Sequence, residues 1–140
     1  MLRTAQAFID QLKEDNLKMK DSRDVENGKS VVVCGFNGKN NAVYDVFMIF
    51  DEDNVGVSLR VFRLVAVPED RTNKIYDVVN DLNLRFRWVK FFCDHDSYVN
   101  VQEDATLSEA DCGKTCVRMM MRAVAIIDAA YPDLMRAIWA

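Results

Sequence analysis

Four cysteines, Cys34, Cys93, Cys112 and Cys116, and a single histidine, His95, are the residues whose types could support metal or nucleophilic chemistry. Cys112 and Cys116 stand four apart, the spacing of one helix face, and Cys93 with His95 could complete a tetrahedral zinc set. Structural zinc usually draws paired ligands from tight knuckles, whereas Cys93-Asp94-His95 at a strand end aims alternate side chains at opposite faces. The expected reading is therefore buried thiols packing as small apolar groups, with no metal and no cofactor. Gly113-Lys114-Thr115 imitates the end of a phosphate-binding loop, but Ser108 stands where its first glycine should be. Lys114, Arg118 and Arg122 repeat every four residues and are expected to form the solvated stripe of a helix. His95 sits between Asp94 and Asp96 in a turn, which suits a surface turn residue better than a general base. Every Ser-His-Asp or Cys-His arrangement would have to use that residue, so no catalytic residue is expected. Asp51 and Asp53 fall in a hairpin turn, where carboxylates cap local backbone donors.

The elements that would position these groups follow from apolar periodicity. Ala5, Phe8, Ile9 and Leu12 recur at helical spacing, predicting an amphipathic helix over about residues 3 to 15 that Asn16 ends. The stretch from Asp21 to Gly28 has no such period and reads as a loop or solvated edge. SVVVCGF (30 to 36), the turn dipeptide Asn37-Gly38 and AVYDVFMIFD (42 to 51) predict a hairpin with positive φ at its turn. VGVSLRVFRLV (55 to 65) adds a third antiparallel strand, with Val55, Val57, Leu59 and Val61 alternating with Gly56, Ser58 and Arg60. After Pro68, a helix capped by Asp70 or Thr72 carries the stripe Ile75, Val78, Val79 and Leu82. FRWVKFFC (86 to 93) and YVNVQ (98 to 102) form a second hairpin around Asp94-His95-Asp96-Ser97. Thr106-Leu107-Ser108-Glu109 has capping-box spacing, predicting a long helix to about Ala130 that Pro132 separates from a short final one. The expected fold is α+β, a five-stranded antiparallel sheet with helices packed on it in the order α-βββ-α-ββ-α.

The chain has 140 residues, the size of one domain, expected over 1-140. Apolar residues make up 50% and charged ones 29%, with 5 Gly and 2 Pro, which excludes disorder and low complexity. Eighteen basic against 22 acidic residues give a net charge of -4, a poor basis for neutralising phosphates, so nucleic acid is not an expected partner. MLRTAQAFIDQLKED carries charge in every turn and no signal segment is readable. No stretch reaches the roughly 18 uncharged apolar residues of a membrane span, and a cytoplasmic location is expected.

With that order of elements the chain resembles the YbjN-like family of bacterial proteins, over nearly its whole length. The residues that carry the resemblance are the helix end Val78-Val79-Asn80-Asp81-Leu82-Asn83, the aromatic strand Phe86 to Phe92, Asp94, the strand Tyr98 to Val101, and Asp128 to Tyr131 in the closing helix. The resemblance implies the fold of type III secretion chaperones and a homodimeric, chaperone-like or regulatory interaction module. It supplies no catalytic residues.

Surplus apolar surface points the same way. Cys112, Cys116, Met119, Ala123, Ile126 and Ala130 form one stripe of the closing helix, and Val117, Met120, Met121 and Val124 widen it beyond what one sheet needs. Ile138 and Trp139, beside the last residue, also want a docking place. Val117, Met120, Met121, Val124, Ile138 and Trp139 are thus the candidate interface of a homodimer, with deep burial in one protomer as the alternative. In the second strand, Tyr44, Val46, Met48 and Phe50 lie on one face and Val43, Phe47 and Ile49 on the other, so both sheet faces seek cover. The expected function is a non-enzymatic protein-interaction module whose partner the residues do not name. The competing expectation is a small-ligand binder or enzyme with a site between helices and sheet, lined by Trp88, Tyr98 and Arg85 or Arg87.

Overall fold

The computed structural model of the chain describes residues 1–40 and 42–139. Helix α1 (Arg3–Glu14) buries Ala5, Phe8, Ile9 and Leu12, the stripe its sequence marks. It ends where Asn16 turns to a positive φ of 56°. Strands β1 (Asp21–Asp24), β2 (Ser30–Asn37), β3 (Val43–Phe50) and β4 (Gly56–Ala66) follow, then α2 (Thr72–Arg85), β5 (Lys90–Cys93), β6 (Tyr98–Thr106) and α3 (Cys112–Trp139). The strands form one antiparallel sheet in the order β1-β2-β3-β4-β6-β5.

The α+β class and the antiparallel sheet stand, but the sheet has six strands and not five. The extra one, β1, runs from Asp21↔Val33 to Asp24↔Ser30. Its four residues are polar and largely exposed, so main-chain pairing holds it and no apolar period betrays it.

The closing helix differs more. Thr106, expected as its cap, is the last residue of β6, because β4 is long enough to pair Gly56 with Thr106. Ser108 Oγ instead donates to the Ala110 carbonyl, and α3 begins at Cys112. Pro132 does not divide α3. The missing Pro N–H frees the Asp128 carbonyl four residues earlier, and the Asn40 side chain, at 3.5 Å, donates to it. Burial of Leu134, Ala137 and Ile138 beyond the proline carries the helix on.

Smaller expectations fail for local reasons. Neither Asp70 nor Thr72 caps α2, since Thr72 Oγ1 donates to the Glu69 carbonyl. The β2–β3 connection is closed by Gly38 N donating to Ala42 O at 2.6 Å, and Gly38 does not have a positive φ. A Cβ at Gly38 would meet the Asp128 carboxylate, which would have to swing aside.

One face of the sheet carries all three helices. Central α3 packs against α1, which touches β2, and against α2, which touches β5. Tyr44, Val46, Met48 and Phe50 of β3, Val57, Leu59 and Val61 of β4, and Val99 and Val101 of β6 face them in one core. Each fully buried Phe, Leu or Met there contributes roughly 1.5–3 kcal/mol by leaving water. At Gly113 the helices approach so closely that a Cβ would lie 2.5 Å from the Ala7 carbonyl oxygen of α1.

Candidate interaction surfaces

Three of the four cysteines are held inside the fold. Cys34, Cys112 and Cys116 are buried; burial pushes the Cys34 thiol up to about 11 and, with the adjacent Cys112, Cys116 to about 12. Such thiols stay protonated at neutral pH and make poor ligands or nucleophiles. Among the described residues no three His, Cys, Asp or Glu side chains converge to hold a metal. Gly113-Lys114-Thr115 lies in the first turn of α3, with Gly113 pressed against α1.

The acidic turns are likewise local devices. Asp53 accepts from Val55 N at 2.8 Å and Gly56 N at 3.0 Å, and these backbone bonds hold its carboxyl below the usual range. Asp94 accepts from Asn100 Nδ2 at 2.6 Å and from the backbone N–H groups of Tyr98 and Asp96, which lowers its pKa. Asn100 is itself buried, and its Oδ1 accepts from Arg63 N at 2.9 Å, where β4 bulges at a φ of 56°. His95 is exposed at the tip of that turn.

Four of the six candidate interface residues, Val117, Met120, Val124 and Ile138, are buried within the protomer, because α1 and α2 flank α3 while the sheet lies beneath it. The surplus apolar circumference is consumed inside the chain. Met121 and Trp139 remain exposed, Trp139 at 76%.

Trp88, Tyr98, Arg85 and Arg87 do not line a common cavity. Arg85 pairs with Asp81 at 3.3 Å and with Asp133, at an open groove of about 570 Å³ between α2 and the end of α3. Tyr98 lies under the Arg63 guanidinium, 5.1 Å away. Trp88 stands outside, half-exposed, with a φ of 79° that a non-glycine residue rarely adopts.

Arg122 departs from its expected solvated stripe. It donates to Glu103 Oε2 at 2.7 Å, and its guanidinium lies 3.9 Å from the Trp88 ring centroid. Glu103 is buried, and Glu103 Oε1 and Arg122 Nε have no partner among the described residues. Strand parity held the missed signal, since Val99, Val101 and Glu103 alternate onto the helix-covered face.

The opposite sheet face has no helix on it. Val31 and Val33 of β2 are buried there outside the main core, beside Phe47 and Ile49 of β3 in register. Phe62 of β4, 51% exposed, meets Phe47 edge-on at 5.3 Å between centroids. Ion pairs rim this apolar strip: Lys20 with Asp45 at 2.9 Å, Arg60 with Asp104 at 3.0 Å, and Arg23 with Asp21.

Asn83 ties the end of α2 to the aromatic strand β5. From α2 its amide donates to Phe91 O at 2.9 Å and accepts from Phe91 N at 2.8 Å, closing the outer edge of β5. The family model named YbjN, described as "Putative bacterial sensory transduction regulator", matches residues 26–135, which contain this arrangement. The chain belongs to the YbjN family. The solved structure of YbjN from E. coli, described as "a putative transcription regulator", is similar to this YbjN-family chain, with a TM-score of 0.57 and 12% identity over 91% of each chain. At that identity the likeness concerns the fold. No curated protein matches the chain.

Proposed function

We propose that this YbjN-family chain is a non-enzymatic regulatory protein of the cytoplasm that acts through protein contacts, as a homodimer joined by the uncovered sheet face. The observation that carries the reading is the accessible apolar strip Phe47, Ile49 and Phe62, beside the buried Val31 and Val33, on a sheet face that the chain's own helices do not cover. A second copy is the occupant its charges suit. The rim holds cations and anions in matched pairs, so a two-fold axis can set each sign against the other, whereas a strongly charged partner meets repulsion. The family's description as a sensory transduction regulator supports the regulatory part. Helices gathered on one face of an antiparallel sheet support the chaperone-like reading of the fold. A net charge of -4 favours protein over nucleic acid as the target.

Light scattering of the purified chain at micromolar concentration tests the dimer. A mass of twice 16.1 kDa is expected, falling to the single mass in Phe62→Asp with the circular dichroism spectrum unchanged. A wild-type chain of single mass would remove the homodimer.

A further inference from the structure

Strand register sets the charges of the uncovered sheet face in a definite order. The row through Phe47 reads Asp21, Val33, Phe47, Arg60, Gln102 and Lys90 from β1 to β5. The row beside it reads Arg23, Val31, Ile49, Ser58 and Asp104 from β1 to β6. Each row carries one sign on β1 and the opposite sign beyond β3, and the signs are reversed between the two rows. Asp104 is fixed in place by Ser58 Oγ, which donates to it at 2.6 Å, and by Arg60 at 3.0 Å.

A third row pairs a projection with a gap. Gly35 of β2 stands opposite Asp45 of β3, and Phe62, two residues beyond Arg60, continues that row on β4. The Phe62 ring is half-exposed and leans on Phe47. Where Gly35 lacks a side chain, an open groove of about 350 Å³ is lined by Met19, Lys20 and Val43. Met19 and Val43 are exposed apolar residues, Val43 at 77%. Ring and groove thus lie one strand to either side of β3.

We propose that two copies pack face to face about a two-fold axis running along β3, so that Phe62 of each enters the Gly35 groove of the other and Arg23 of each meets the partner's Asp104. The inference rests on the homodimer of the proposed function and adds its orientation. Such an axis keeps every row and reverses the strand order, laying β2 over β4 and β1 over β6 of the second copy. Asp21 then faces the partner's Gln102, which stands between two cations of its row. An axis across the strands lays each strand on its own counterpart and leaves the groove empty, because Phe62 then lies over β4. Packed sheets interdigitate about 10 Å apart and cross at about 30°, an offset that vanishes at the axis and that the long Arg23 side chain spans at the edge.

Native mass spectrometry of charge-reversed full chains tests the orientation. Arg23→Asp alone and Asp104→Arg alone each set like charges against one another at both ends of the interface and are expected to weaken self-association by about tenfold or more. Mixed in equal amounts, the two variants complement each other: reversed position meets reversed position at one end, and the native pair forms at the other. The mixed dimer is therefore expected to exceed the half share that random pairing gives. Changes within each copy are the same in both kinds of dimer, so they do not produce this excess. A second pair of variants tests the groove. Gly35→Phe, whose new side chain meets only the side-chain ends of Asp45 and Lys20 within its own copy, is expected to weaken the dimer by about tenfold. Adding Phe62→Ala to it is expected to regain most of that loss, since ring and gap trade places. A wild-type dimer whose charge variants mix at random, or whose Gly35→Phe loss deepens with Phe62→Ala, overturns this orientation and leaves the homodimer standing. A wild-type chain of single mass removes both.

Discussion

The two faces of the sheet are built from the same strands and differ in what covers them. On β3, Tyr44, Val46, Met48 and Phe50 are sealed in the core under the helices, whereas Phe47 and Ile49, one residue out of phase, are half-covered and Val43 is open to water. Strand alternation creates two apolar sets, and three helices suffice for only one. The covered set makes the main core, and of the other set Val43, Phe47, Ile49 and Phe62 stay at least partly accessible. The difference teaches that side-chain type alone does not mark an interaction surface here: Met120 and Phe62 are both large apolar residues, and only Phe62 is reachable.

Substitutions that break the contrast should rank by burial. Phe50→Ala, on the covered face against Phe8 at 5.7 Å, is expected to cost about 3–5 kcal/mol in urea unfolding. Phe62→Ala, on the open face, should cost less than about 1 kcal/mol, and equal losses would mean that the faces are not different in kind. Gly113→Ala is next in size, about 1–3 kcal/mol, because the Ala7 carbonyl leaves no room for a methyl between α1 and α3.

Asp94 sharpens the contrast at the exposed turn. Its hydrogen bonds from Asn100, Tyr98 and Asp96 hold its folded pKa below the unfolded value, so its stabilisation is present above the unfolded pKa and vanishes as pH falls through the folded one. The destabilisation of Asp94→Asn should therefore shrink between about pH 6 and about pH 3 in denaturant titrations. A gap that stays constant across that window would assign the residue's contribution to geometry alone. The smallest change is expected for Tyr44→Phe. Tyr44 Oη is buried without a partner among the described residues, and burial, with Asp128 beside it, raises its pKa above the ordinary phenol range. Losing that hydroxyl should leave stability within about 1 kcal/mol or raise it.

Much of the arrangement is legible in residue spacing. The stripe Ala5, Phe8, Ile9 and Leu12 and the alternation Val57, Leu59 and Val61 each report a single face through a period of 3.6 or 2, and the structure buries those residues together. The ends of elements are less legible. Thr106 reads as a cap and proves to be a strand residue, because a partner on β4 outbids a local side-chain bond. Pro132 reads as a break and is absorbed, because Asn40 from a distant loop serves the carbonyl it frees and the apolar face continues past it.

For the candidate surfaces the division is similar. Residue types and order by themselves determined the α+β class, the apolar stripes, the family and the local roles of the acidic turns, because these depend on chemistry within a few residues of chain. Only the tertiary structure decided which apolar residues are spent: Val117, Met120, Val124 and Ile138 inside, Phe47 and Phe62 outside. It also decided that Arg122 lies on a tryptophan and a buried glutamate instead of in water. Burial and pairing of this kind depend on which helices reach which face, a property of the assembled chain that no local period records.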